Sequence, residues 1–172
     1  MFLYLQMIET AQDRSKFEQV YLGYRDLMYS VAYSITKNPQ DAEDAVHHAF
    51  VKIAENISKI SQPLCPKTKG YVVTIVENTA INLYNRMKRH PAVSLDALNV
   101  GICVEYTGSN ELARCMAALP AQYRQVLLLK HYHGYTTQEI AKMLNLSAAN
   151  TSKIHQRAKD KLEALCKEAG LI

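Results

Sequence analysis

Tryptophan is absent from this 172-residue sequence, and glycine and proline are scarce, at 6 and 5 residues. So few chain-breaking residues exclude a protein of many tight turns, such as a β-sandwich or barrel, and favour helices joined by short loops. The four cysteines, Cys65, Cys103, Cys115 and Cys166, include no CxxC pair. That spacing excludes a zinc ribbon or a disulfide scaffold and suits a reducing cytoplasm. No apolar run is long enough to span a bilayer, so direct membrane insertion is not expected. The opening "MFLYLQMIETAQ" is apolar for only about eight residues and lacks both a basic leader and a small-residue cleavage site, so it is not expected to act as a secretory signal.

Apolar periodicity is what the chain does have. Its hydrophobic content, 48%, is enough to give a core to one compact domain or to two small ones. In "SKFEQVYLGYRDLMYSVAYSITK", Phe17, Val20, Tyr21, Tyr24, Leu27, Met28, Val31, Ala32 and Ile35 recur at three- and four-residue steps, one apolar stripe of a helix. Gly23 is a candidate break in it. Asn38 before Pro39 is an N-cap with proline at the first helical position, which predicts a second helix over "PQDAEDAVHHAFVKIAENI". Its predicted buried face is Ala42, Ala45, Val46, Ala49, Phe50 and Ile53. Asp41, Glu43 and Asp44 fall near its start, where carboxylates suit the positive end of the helix dipole.

The loop "SKISQPLCPK" precedes a third long helix predicted from about Lys69 to His90. Tyr71, Val72, Ile75, Val76, Thr79, Ala80 and Leu83 form its expected inward stripe, and Asn78, Asn82, Asn85, Arg86 and Lys88 its polar back. Tyr71 reads as core, whereas Tyr84 is the better candidate for stacking on an unpaired base. From Pro91 to Ser109 the periodicity lapses, as in an interdomain linker. A helix around Glu111 to Leu119 and another started by Pro120 follow.

The last pair of helices carries the clearest local signal. Thr136 with Glu139 three residues later is a capping box, the short helix ends near Asn145, and Ser147 can cap a final helix reaching about Leu165. Between Lys142 and Lys161 stand five Lys/Arg residues against the single Asp160. Two helices joined by a tight turn, the second one basic, follow the plan of a helix-turn-helix. Ile154, Ala158, Leu162 and Leu165 would hold the final helix, leaving Asn150, Lys153, Gln156, Arg157 and Lys161 to meet phosphates and base edges. Charge alone would equally fit a solvated surface; the capped short helix and the turn favour DNA. A duplex-reading unit alone leaves the first ninety residues unexplained. Their asparagine-rich helix, ending in "NRMKRH", suits unstacked bases and backbone phosphates.

Three stretches, in this order and separation, resemble a family that accounts for both halves. "YRDLMYSVAYSITKNPQDAEDAVHHAFVKI", "YVVTIVENTAINLYNRMKRH" and "LPAQYRQVLLLKHYHGYTTQEIAKMLNLSAANTSKIHQRAKDKL" are similar to bacterial RNA polymerase sigma factors of the extracytoplasmic-function group, which keep the second and fourth of the family's numbered regions. The resemblance covers nearly the whole chain. It implies an all-α fold of two small helical domains joined by a linker, the C-terminal one a helix-turn-helix, with region 2 over residues 1–90, the linker over 91–109 and region 4 over 110–172. It further implies that Asp41, Asp44, His47, His48 and Lys52 face the polymerase clamp. Asn78, Asn82, Arg86, Lys88 and Arg89 would engage the minus-10 element, with Asn78 and the loop from Ser58 to Lys67 walling a pocket for a flipped base. Thr136, Asn150, Ser152, Lys153, Gln156, Arg157 and Lys159 would engage the minus-35 element. The implied partners are core RNA polymerase, promoter DNA and an anti-sigma factor.

The chain departs from the family's pattern at two places. Its final helix reads "SAANTSKIHQRAK" against S-x-G-T-V-K-S-R-L-x-R-A-R, with Ala149 for glycine and His155 where an apolar residue is usual, so that Ile154 is the candidate anchor. His47 and His48 stand where glutamine and glutamate are usual. No catalytic residue, cofactor, metal or small-molecule substrate is expected: His131 and His133 are two apart and point to different sides of a helix, and no thiol or carboxylate recurs at ligand spacing. The competing reading is a free-standing helix-turn-helix regulator.

Overall fold

The computed structural model describes residues 2–87 and 111–172, and all regular structure among them is helical. The chain divides into two compact units, residues 1–89 and 90–172.

In the first unit a short helix, α1 (Phe2–Leu5), precedes three long ones: α2 (Ala11–Thr36), α3 (Pro39–Glu55) and α4 (Pro66–Met87). Thr10 caps α2 by accepting from the Asp13 amide, and Lys37 ends it in the left-handed region at φ 54°. One residue later Asn38 Oδ1 accepts from the amides of Gln40 and Asp41 at 2.9 and 3.2 Å, starting α3 with Pro39 in its first turn. Such a cap stabilises a helix by about 1 kcal/mol. The predicted stripe of α2 is buried at Phe17, Val20, Tyr24, Met28, Val31, Ala32 and Ile35, with Tyr21 and Leu27 half-buried, and the predicted face of α3 is buried throughout.

Gly23 does not break α2, which runs through it without interruption. A Cβ there would lie 2.5 Å from Leu64 Cδ2, the far end of an exposed side chain in the loop that leads to α4, which would have to turn aside. α4 also differs from the expected two-faced helix. Tyr71 to Ile81 are all buried, Asn78 and Glu77 among them, because α2 and α3 both pack against α4 and leave no polar back along that stretch. A polar side chain there must be hydrogen-bonded to be tolerated. Asn82 Nδ2 donates to Asn78 Oδ1 at 3.0 Å. An aromatic cluster closes one end of the unit, with Phe50 against Tyr21 at 4.7 Å and edge-on to Phe17 at 5.9 Å between ring centroids. Tyr4 of α1 joins it, 5.5 Å from Phe17.

The second unit holds α5 (Glu111–Ala118), α6 (Ala121–Leu127), α7 (Thr137–Leu144) and α8 (Ala148–Glu168). α6 continues into a wider π turn, Leu128–Tyr132. Leu119, Leu127 and Ala158 form the centre of one core cluster, flanked by Met116, Tyr123, Leu162 and Leu165. Thr136 and Glu139 make the expected capping box, and Asn145 ends α7 in the left-handed region at φ 55°. Ser147 caps α8 by accepting from the Asn150 amide at 3.1 Å, and α8 runs three residues past the expected end.

Candidate nucleic-acid interface and docking face

The residues expected to meet the polymerase clamp lie along α3. Asp44, His47 and His48 are exposed there, and Asp41 and Lys52 are half-buried at its margins. Asp41 alone of the three acids stands in the first turn; Glu43 and Asp44 belong to the next turn and point to solvent. Burial pushes the Lys52 ammonium below its ordinary value, against the pull of Glu55. His47 is not a free ligand, since Tyr4 Oη and His47 Nδ1 lie 2.6 Å apart in a hydrogen bond. Beside it a cleft of about 540 Å³ opens between α2 and α3, lined by Tyr21, Arg25, Asp26, Glu43 and His47 among others.

The second group lies along α4. Asn78 is buried, Asn82 is half-buried and hydrogen-bonded to it, and Arg86 is exposed in the last turn. The placement of Asn78 on an exposed polar back is therefore corrected: its amide sits at the inner edge of that side, reached through Asn82. Tyr71 is core, as its spacing predicts, and Tyr84 is half-buried. Lys88 and Arg89 lie outside the described residues, as does the linker.

Two hydrogen bonds tie the loop before α4 to its neighbours. Thr68 Oγ1 donates to the Gln62 carbonyl at 2.6 Å and Tyr24 Oη to the Cys65 carbonyl at 3.3 Å. Cys65 is half-buried. Burial acts to raise its thiol, but hydrogen bonds with Thr68 and Lys67 and the Lys67 charge outweigh it, leaving the thiol below its ordinary value.

The third group shares the outer side of α8. Asn150, Ser152, Lys153, Gln156, Arg157, Lys159 and Lys161 are exposed, while Thr151, Ile154 and Ala158 are buried on the opposite side. Ile154 is the anchor, and His155 is half-buried beside it. Gln156 Nε2 donates to Asp160 Oδ1 at 2.9 Å. Thr136 lies apart from this row, at the start of α7, where its hydroxyl and amide both serve the cap with Glu139. One pair escaped the sequence reading: His131 Nε2 and His155 Nε2 are 2.9 Å apart. The two residues sit in different elements, and no local spacing signals their meeting. Among the described residues no three His, Cys, Asp or Glu side chains gather as a metal site, and no helix is long and apolar enough to cross a membrane.

An exposed cationic row on the second helix of a helix-turn-helix, and an amide pair at the inner edge of a three-helix unit, fall within two matched segments. Residues 20–90 match the model of Sigma-70 region 2, and residues 109–162 match that of Sigma-70, region 4. The chain belongs to the sigma-70 family. Among relatives of this sigma factor, the ECF RNA polymerase sigma factor SigM of Bacillus subtilis is 24% identical over 155 residues, covering 86% of this chain and 93% of that one. The ECF RNA polymerase sigma factor SigW of the same organism is 24% identical over 164 residues, covering 84% and 86%. Among solved structures, the sigma factor RpoE in complex with the anti-sigma factor NepR from Bartonella quintana aligns with a TM-score of 0.40 at 19% identity, covering 88% of this chain and 96% of that one. The chain is thus an ECF sigma factor, which binds core RNA polymerase and directs promoter-specific initiation of transcription. Sigma factors regulate initiation and are not enzymes.

Proposed function

We propose that the first unit, residues 1–90, docks on the polymerase clamp and opens the minus-10 element, that 91–109 link the units, and that the second, residues 110–172, holds the minus-35 element as duplex. The observation that carries this division is the contrast in the polar side chains: exposed cations on the outer side of α8, and a partly sheltered, mutually hydrogen-bonded amide pair on α4 in the first unit. A flipped base must leave its stack at a cost of a few kcal/mol, and it is read best by groups already fixed in place. Asn78 and Asn82 provide such groups, with the loop from Ser58 to Lys67 as the opposing wall, while Arg86, Lys88 and Arg89 hold phosphates. A duplex groove is met by a row of exposed donors, here Asn150, Ser152, Lys153, Gln156, Arg157 and Lys159, with Thr136 at the start of α7. On α3, Asp41, Asp44, His48 and Lys52 with the neighbouring cleft make a surface for a basic partner, and Tyr4 orients His47 within it. An anti-sigma factor is a further expected partner in the cytoplasm.

Two modest DNA contacts on one linker gain from effective concentration, so binding is weak alone and strong on polymerase. Run-off transcription with core enzyme over a genomic promoter library tests this. Specific starts, together with poor retardation of duplex DNA by the chain alone, are the expected result. Tight, specific duplex binding without polymerase would instead establish a free-standing regulator. Replacing His47 by Gln and His48 by Glu is expected to retain or strengthen core binding in a pull-down, and a loss would show contacts specific to the histidines.

A further inference from the structure

The meeting of His131 and His155 belongs to neither DNA element nor docking face. His131 comes from the π turn after α6 and His155 from the first half of α8. Their ring centroids are 5.1 Å apart with the planes inclined by 29°, and their Nε2 atoms are 2.9 Å apart. One Nε2 donates to the other, so at least one ring is neutral and offers an Nε2 lone pair. His131 is exposed and His155 half-buried, which leaves the pair open to solvent. Burial first, then His131, Lys159 and Lys130, hold the His155 imidazole below its ordinary value. A neutral imidazole is the form that binds metal.

The spacing selects among ions. Bonds of about 2.0–2.1 Å from imidazole nitrogen to a first-row divalent ion, set at a right angle, put the two nitrogens about 2.8–3.0 Å apart. A tetrahedral angle would open them to about 3.3–3.4 Å. Cis positions of a square-planar or octahedral ion, the geometries that Cu(II) and Ni(II) favour, keep a gap of this size. Because centroids 5.1 Å apart set the nitrogens nearly head-on in their hydrogen bond, both rings must turn to aim their lone pairs at the ion.

We propose that His131 and His155 form a two-imidazole chelate for a divalent transition-metal ion of the Ni(II) or Cu(II) type, clipping the π turn to the recognition helix α8. Water fills the remaining positions, since no third His, Cys, Asp or Glu among the described residues completes a cluster. Ligation replaces the shared hydrogen bond: the donor ring moves its proton from Nε2 to Nδ1, which releases no net proton from a neutral pair. The nearby Lys130 and Lys159 oppose a further positive charge, so the site exchanges its ion readily and does not trap it. Because the ligands are brought together only by folding, the bound ion stabilises the folded unit by mass action.

Ni(II) is the probe, because it does not oxidise the free thiols as Cu(II) can. It is titrated at neutral pH into the full chain without an affinity tag, with calorimetry, thermal unfolding and NMR as readouts. The expected result is saturable binding, an upward shift of the unfolding midpoint by roughly a few degrees, and paramagnetic broadening at both the π turn and α8. His131→Gln and His155→Gln each weaken binding by more than the tenfold or so that an outer-shell change costs. The double variant His47→Gln, His48→Gln leaves it unchanged. Ni(II) binding that survives both His131→Gln and His155→Gln overturns the proposal, as does no binding at millimolar ion. Helical circular dichroism checks that each variant is folded, and the exposed His131 decides the matter if His155→Gln unfolds.

Discussion

The side chains proposed to meet DNA sit at opposite depths in the two units. In the first, Asn78 is 4% exposed inside a helix buried for eleven consecutive residues, Tyr71 to Ile81. In the second, the α8 residues proposed to meet the duplex are exposed, and a separate set, Thr151, Ile154 and Ala158, is buried. On the proposed roles, base reading in the first unit would be coupled to the integrity of its core, whereas duplex reading in the second would be separable from stability. A pocket that must exclude water around an extruded base needs walls that do not move. A groove is already shaped by the duplex, and a row of donors suffices to meet it.

Phe50→Ala should test the coupling most severely. Phe50 is fully buried between Phe17 and Tyr21, and its loss should cost about 3 to 5 kcal/mol. Urea unfolding should show the first unit melting early while minus-35 binding by the second persists. A shared loss in both units would erase the contrast. Asn78→Ala should cost about 1 to 3 kcal/mol by stripping the Asn82 amide of its acceptor, and it should impair promoter opening as well as stability. A variant that is inactive yet fully stable would show that the amide reads the base without bracing the fold. Arg157→Ala should weaken duplex binding and lower its salt slope by about one, with stability unchanged within about 0.5 kcal/mol. Salt-dependent binding on polymerase, paired with unfolding curves, measures both.

The smallest effect is that of pH on the second unit. His155 is held below the ordinary imidazole value of about 6.5, so the unfolded chain takes up its proton first. The associated stability is present above about pH 6.5 and is lost as pH falls through that value towards the folded one. His155→Gln should flatten this slope in unfolding curves recorded across that range, and an unchanged slope would assign it to other groups.

The helices and caps were legible because they depend on neighbours in sequence. Asn38 with Pro39, Thr136 with Glu139, and Ser147 before α8 each satisfy helix-end amides locally, and the apolar stripes of α2 and α3 follow one period. The burial of Asn78 was not legible: a 3.6-residue period describes one buried face, and α4 is packed by both α2 and α3. Period alone equally could not reveal that Tyr4 reaches His47 or that His131 reaches His155, since each pair joins separate elements. Thr136 was a readable cap before it was a candidate DNA contact, and the structure engages both its hydroxyl and its amide in that cap.

Gly23 carries a consequence for engineering. Leu64 overlies it, so the wall of the proposed base pocket takes part of its form from a helix forty residues earlier in the chain. Transplanting residues 58–67 from one sigma factor into another is thus a two-site operation. A recipient with a side chain at position 23 would turn the exposed end of Leu64 aside, so that position is the first to match if promoter preference does not move with the loop.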